Sequence, residues 1–184
     1  MLNRGFLTRI ISDALARDAW TRGKASWYLT TDDLILIVNL DKSPYAGKFG
    51  IGLGIFIKPD ARDESVRSNP DYLSRQESLR QYYDYTRDYP MGKLPKFPHC
   101  DVRNGLSRLV TSPPELNAAL DLETSSPSEE QRAKIISSCF NEHAMPVLQR
   151  ARTLPDLRAM YAEGVMVHPR WIIPLLIQRF LAEN

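Results

Sequence analysis

The stretch Lys48 to Pro59, KFGIGLGIFIKP, places Gly50, Gly52 and Gly54 at every second position, a spacing that invites reading as a phosphate cradle. A dinucleotide fingerprint needs G-x-G-x-x-G at the opening of a helix, whose N-terminus holds the pyrophosphate. Here the spacing is G-x-G-x-G, and Phe56-Ile57-Lys58-Pro59 opens no helix. A P-loop fails as well, because no Gly-Lys-Ser/Thr occurs. In a strand, alternate residues share a face, so the glycines bare one face while Ile51, Leu53, Ile55 and Ile57 line the other. A bare stripe marks close approach of another part of the chain, and the N-terminal helix is the expected neighbour. Gly52→Val should then damage folding, not ligand binding.

His99, Cys100 and Asp101 are a tempting base, nucleophile and orienter. Adjacent strand residues point to opposite faces, however, so sequence neighbours make a poor dyad. A buried strand cysteine is the plainer reading of Cys100, with a small enzyme using Cys100 or His99 together with Arg103 as the alternative. His99, His143 and His168 show no HxxxH, CxxC or His-Glu-x-x-His spacing, so no metal site is expected. No serine sits in a G-x-S-x-G elbow. Asp121, Glu123, Glu129 and Glu130 flank Ser125-Ser126-Pro127-Ser128 in what reads as a solvated linker and helix start. Neither a catalytic constellation nor a cofactor site emerges.

The segment QYYDYTRDYP sets Tyr82, Tyr83, Tyr85 and Tyr89 close to Arg80 and Arg87. Tyrosine and arginine dominate interface hot spots, which makes this stretch the candidate partner-binding surface. The same interleaving can stack single-stranded nucleic acid, but Asp84 and Asp88 would oppose the phosphates. Alternatively, some of these rings simply cover the edge of the core.

These residues need a scaffold, and composition bounds it. A chain of 184 residues is one domain with a proper core, and 43% hydrophobic with 25% charged residues is ordinary for a globular protein. A net charge of +2, with 24 basic and 22 acidic residues interspersed, argues against nucleic acid as a partner. No apolar run approaches the ~20 residues that span a bilayer. Two cysteines, Cys100 and Cys139, exclude a disulfide scaffold and lead to the expectation of a reduced, cytoplasmic protein.

Phe6, Leu7, Ile10, Ile11, Ala14 and Leu15 recur at helical spacing, predicting a helix over about residues 4–18 with Asn3 as its cap. Strands are predicted at 24–31, 34–40 and 48–58, then at 99–110 and 117–123. Between them residues 60–98 form a long polar loop or insertion, with a short helix within 70–83. Ser128 caps a helix running to about Arg150, which Pro146 should kink or break. A further helix spans Leu154 to Ala162, stopped by Gly164. Pro169 is expected to open a last one, with Trp171, Ile172, Leu175, Leu176 and Phe180 on its apolar side. Strands in one run with helices before and after define an α+β domain: a single antiparallel sheet of about five strands, an N-terminal helix and a C-terminal helical portion.

Trp20 to Trp27 (WTRGKASW), Leu34 to Ser43 (LILIVNLDKS), Gly50 to Ile55 (GIGLGI) and His99 to Leu109 (HCDVRNGLSRL) together resemble the bacterial family catalogued as domain of unknown function 4304. The chain departs from that pattern at Ala19, where glycine is expected, and at Asp41, where glutamine is expected; residues 60–98 look like an expansion. The resemblance implies an α+β fold and brings no activity with it. The function expected from the whole sequence is non-enzymatic recognition of a protein partner, in the manner of immunity or regulatory proteins of this build. That last step is an analogy of fold.

Overall fold

The computed structural model describes residues 3–43, 47–58, 61–62, 66, 70, 94–97, 100–166 and 171–182. Helix α1 (Arg4–Leu15) begins where Asn3 accepts the Gly5 N–H at 2.8 Å, and it buries Phe6, Leu7, Ile10, Ile11 and Leu15. That apolar spacing lays one stripe of the helix on the core. Five strands follow: β1 (Thr21–Arg22), β2 (Ser26–Thr30), β3 (Leu34–Lys42), β4 (Phe49–Ile57) and β5 (Val102–Gly105). They lie in sequence order in one sheet, each antiparallel to the next. The β2–β3 link is tied by Thr31, whose hydroxyl accepts the Leu34 N–H at 3.1 Å. The architecture is α+β.

Period-two alternation divides the sheet into two faces. Trp27 and Leu29 of β2, Leu34, Leu36, Val38 and Leu40 of β3, and Ile51, Leu53, Ile55 and Ile57 of β4 belong to the main core with the helices. The opposite face carries Tyr28, Ile35, Ile37 and Phe56, which cluster with Cys100. The three β4 glycines lie on this second face, as expected. Their neighbour is not the N-terminal helix, which lies with the main core on the other side. A Cβ on Gly52 would meet the Phe97 ring at 2.6 Å, and one on Gly54 would strike the Cys100 Sγ. The bare stripe receives an aromatic ring and a thiol from the segment leading into β5.

A buried ion pair closes that side. Arg62 Nη2 donates to Asp101 Oδ2 at 2.8 Å and to the Ile57 carbonyl at 2.6 Å, and Asp101 Oδ2 also accepts the Ile57 N–H at 2.9 Å. Both side chains are almost wholly buried, and the guanidinium carbon stands 5.2 Å from the Phe56 ring centroid.

Two predicted strands need correction. Residues 106–109 turn into a short helix, α2 (Leu106–Leu109), so only the middle of 99–110 pairs in the sheet. Residues 117–123 do not form a strand: Pro113 and Pro114 open α3 (Pro113–Leu120), which buries Leu116, Ala119 and Leu120 at helical spacing. The count of five strands is met instead by β1. Helix α4 (Glu129–Cys139) carries the expected cap at Ser128, completed into a capping box by Gln131. Pro146 has the foreseen effect, because the chain widens into a π turn (Phe140–Ala144) before α5 (Met145–Arg150). Helix α6 (Leu154–Ala162) ends before Gly164, whose φ of 74° suits glycine. The last helix, α7 (Leu175–Ala182), starts later than expected. Trp171 and Ile172 precede it, with Ile172 bridged to Arg103 of β5; Ile172 and Leu175 are exposed, whereas Trp171 and Phe180 are buried.

Arg132 of α4 holds the helices together from inside. Its guanidinium donates to the carbonyls of Pro127, Ala118, Ala119, Asp121 and Thr124 and to the Thr124 hydroxyl, at 2.6 to 3.0 Å. A fully buried cation is tolerated because the C-terminal carbonyls of α3 supply the negative end of a helix dipole.

Candidate functional site

The sheet leaves a gap at one corner. Strand β5 pairs with β4 only from Gly52 to Ile55 and turns into α2 at Gly105, so Phe49 to Ile51 run on past its end. Farther along, Lys48 and Asp121 form an isolated bridge whose side chains pair at 3.6 Å. Between that bridge and the end of β5 opens a cleft of ≈ 280 Å³. Its floor is Gly50, Gly52 and Gly105; its walls include Phe97, Arg103, Asn104, Arg108 and Asn117, with Asp41 on the β3 side. Ile172 stands at the β5 edge, held by two backbone hydrogen bonds with Arg103 of 2.7 and 3.1 Å.

The polar lining is unequal. Arg103 is half-buried and Arg108 exposed, and Asp41 is the acidic residue among the described residues of the lining. Asn104 is 1% exposed; its Oδ1 accepts the Gly105 N–H at 2.8 Å, which fixes the orientation of the amide. Its Nδ2 is buried and finds no acceptor among the described residues.

A second groove of ≈ 630 Å³ lies where α3, α4 and the π turn meet, lined among others by Glu115, Lys134, Ser138, Cys139, Glu142 and His143. Cys139 and His143 are one helical turn apart, a Cys-x-x-x-His spacing visible in the sequence but overlooked there. Burial, aided by the Glu115 and Glu142 carboxylates, pushes the Cys139 thiol above its ordinary value. It therefore stays protonated at neutral pH and is no thiolate nucleophile. Among the described residues no cluster of three or more His, Cys, Asp or Glu side chains is placed to hold a metal ion.

The sequence-derived candidates fall in different places. Tyr82, Tyr83, Tyr85, Tyr89, Arg80 and Arg87 lie outside the described residues, as do His99, His168, Pro169 and nearly all of the helix expected at 70–83. Cys100 is fully buried in the smaller cluster, its thiol directed to the Lys96 carbonyl at 4.0 Å. Asp101 is engaged by Arg62. Arg103 reaches the cleft, while Cys100 is not among its lining residues. Arg108 and Asn104 were not singled out from sequence, and Ile172 was named only on the apolar side of the expected last helix; tertiary structure brings Ile172 to the β5 edge. Among the described residues no helix is long and apolar enough to cross a membrane. Compared with family models, curated proteins and solved structures, the chain matches none.

Proposed function

We propose that the protein acts without catalysis, by recognising a protein partner, with the cleft side of its sheet and the tyrosine-rich segment as the candidate contact regions. The observation that supports this is the setting of Ile172. Its side chain is 46% exposed beside Phe97, Arg103 and Arg108, and Leu175, three residues on, is 63% exposed. An apolar or aromatic centre bordered by arginines is the composition of an interface hot spot. In chain order Phe97 follows Tyr89 closely. An immunity-like role, in which the surface occludes a partner's working face, is the biological form this reading takes.

The test is quantitative capture of crosslinked partners from cells of the source organism. Tagged wild-type protein is compared with Ile172→Ser/Leu175→Ser and with Tyr82→Ala/Tyr83→Ala/Tyr85→Ala. Both aliphatic positions are exposed, so the fold should survive their replacement. A single partner lost from both variants is the expected result. Equal recovery of every captured protein by all three removes the reading.

A further inference from the structure

We infer that Asn104–Gly105 is a site of spontaneous covalent modification, which the native fold holds off and the unfolded chain undergoes. It is the one Asn–Gly step in the chain. Glycine has no side chain to shield its nitrogen, so at such a step that nitrogen readily attacks the asparagine side-chain carbonyl carbon. The bond from Gly105 N to Asn104 Cγ forms and the Cγ–Nδ2 bond breaks. Ammonia leaves, carrying the proton that the Gly105 nitrogen gives up. Water, the one co-reactant, then opens the cyclic imide at either carbonyl. The product is aspartate at position 104, or isoaspartate, in which the side-chain carbons have entered the main chain.

Three features of the fold oppose the reaction. Asn104 pairs with Leu53 in the sheet, and Gly105, opposite Gly52, keeps an extended backbone with φ −95° and ψ 138°. Ring closure swings the Gly105 nitrogen onto Cγ, which rotates ψ of Asn104 out of the extended range and breaks that pairing. Next, the Gly105 N–H donates to Asn104 Oδ1 at 2.8 Å, so the proton that must leave is held in a hydrogen bond. Finally, Asn104 is 1% exposed, which keeps water and base from both reacting atoms. The same burial makes either product a misfit. Aspartate would bury a carboxylate whose one donor among the described residues is the Gly105 N–H, and a charge so poorly paired is costly. Isoaspartate lengthens the main chain where β5 passes into α2, so the Gly52–Gly105 register is lost. Unfolding therefore opens a one-way exit: the longer the chain stays open, the smaller the fraction able to return.

The experiment incubates the purified full chain at mildly alkaline pH, native in buffer and unfolded in guanidinium chloride, and samples both over days. Arg103 and Arg108 flank the step, so trypsin releases residues 104–108 as one peptide, whose mass and chromatography report conversion. Conversion in the unfolded chain is expected, at a rate at least about tenfold above the native one, because the folded protein reacts only through its opened population. The refolded fraction, read by circular dichroism after dilution, should fall in step with conversion, and the chains that fail to refold should carry the converted peptide. Gly105→Ala has room for its methyl, with the Ser107 Oγ at 3.8 Å the nearest atom, and should fold. Held unfolded, it should lose most of the conversion and keep its refolding yield. An unfolded chain that does not convert, or a native rate within about tenfold of the unfolded one, overturns the inference. Converted peptide shared evenly between refolded and unrefolded chains, or refolding loss as fast in Gly105→Ala as in wild type, overturns the one-way exit.

Discussion

The two faces of the sheet are held by different physics. Under the helices, aliphatic side chains from β2, β3 and β4 merge with α1 and the C-terminal helices into one large cluster. Each such residue contributes about 1.5–3 kcal/mol by leaving water, and many neighbours share the load. Among the described residues the opposite face carries a cluster of four buried residues, Ile35, Ile37, Phe56 and Cys100, with Tyr28 against it. It adds specific devices: a buried ion pair and glycines that admit a ring and a thiol. Redundant burial tolerates substitution, whereas a single pair or a single close approach does not. The second face should therefore be the more fragile per residue.

Arg62→Met should show the largest effect. It leaves the Asp101 carboxylate buried beside Phe56 with only the Ile57 N–H of its two described donors. Breaking a buried pair from one side costs about 3–5 kcal/mol, as much as an aliphatic truncation to alanine under the helices. Adding Asp101→Asn removes the stranded charge and keeps an acceptor for Ile57, so the double variant should recover part of the loss. Urea unfolding of wild type and the two variants measures this. A single-variant loss below about 1 kcal/mol would place the pair among ordinary surface bridges and erase the contrast between the faces.

The glycines offer a comparison within one strand. In Gly54→Ala the new methyl runs into Cys100, whose own Cβ would be 3.1 Å away, and the cost should be about 1–3 kcal/mol. Gly50→Ala, with nothing near, should stay within about 0.5 kcal/mol of wild type. Cys100→Ala should relieve the Gly54→Ala clash, a coupling that a double-mutant cycle detects. Equal costs at Gly50 and Gly54 would mean that strand propensity, not close approach, governs both sites.

What was legible in the sequence follows the same division. Local chemistry announced the caps at Asn3 and Ser128, the stop at Gly164 and the break at Pro146, because each acts within a turn of itself. The alternation of KFGIGLGIFI announced a strand with one bare face. It did not announce Phe97 and Cys100 as the neighbours, since they stand some 45 residues away in the chain and no local pattern encodes that approach. Residues 117–123 were misread because Asp121, Leu122 and Glu123 alternate like a strand end. The stronger signal lay just before them, with Ser112 leading into Pro113-Pro114, Glu115 in the first turn and apolar residues at 116, 119 and 120. Of the candidate site, Arg103 was found as part of a cysteine-centred idea. Its cleft partners Arg108, Asn104 and Ile172 meet only because β5 ends early and residues 171–172 return to its edge.

The two cysteines give the smallest effect and the finest probe, one on each side of the sheet. Cys100 is fully buried among apolar neighbours, so native protein should leave it unalkylated until it unfolds. Cys139 is only partly buried and lines the open groove, but burial and the Glu115 and Glu142 carboxylates raise its pKa. Alkylation by iodoacetamide follows the thiolate, so its rate should rise with pH around a midpoint above the ~8.5 of free cysteine. Glu115→Gln should move that midpoint down without restoring the ordinary value, since desolvation is the larger cause; Glu142→Gln should move it less. The sign for stability is fixed as well. Between the unfolded and folded midpoints the native thiol keeps a proton that the unfolded chain has released, so stability falls slightly as pH rises through that window. A Cys139 midpoint at or below that of free cysteine would show the groove to be electropositive where the geometry makes it electronegative. It would also reopen the Cys139–His143 pair as a reactive centre.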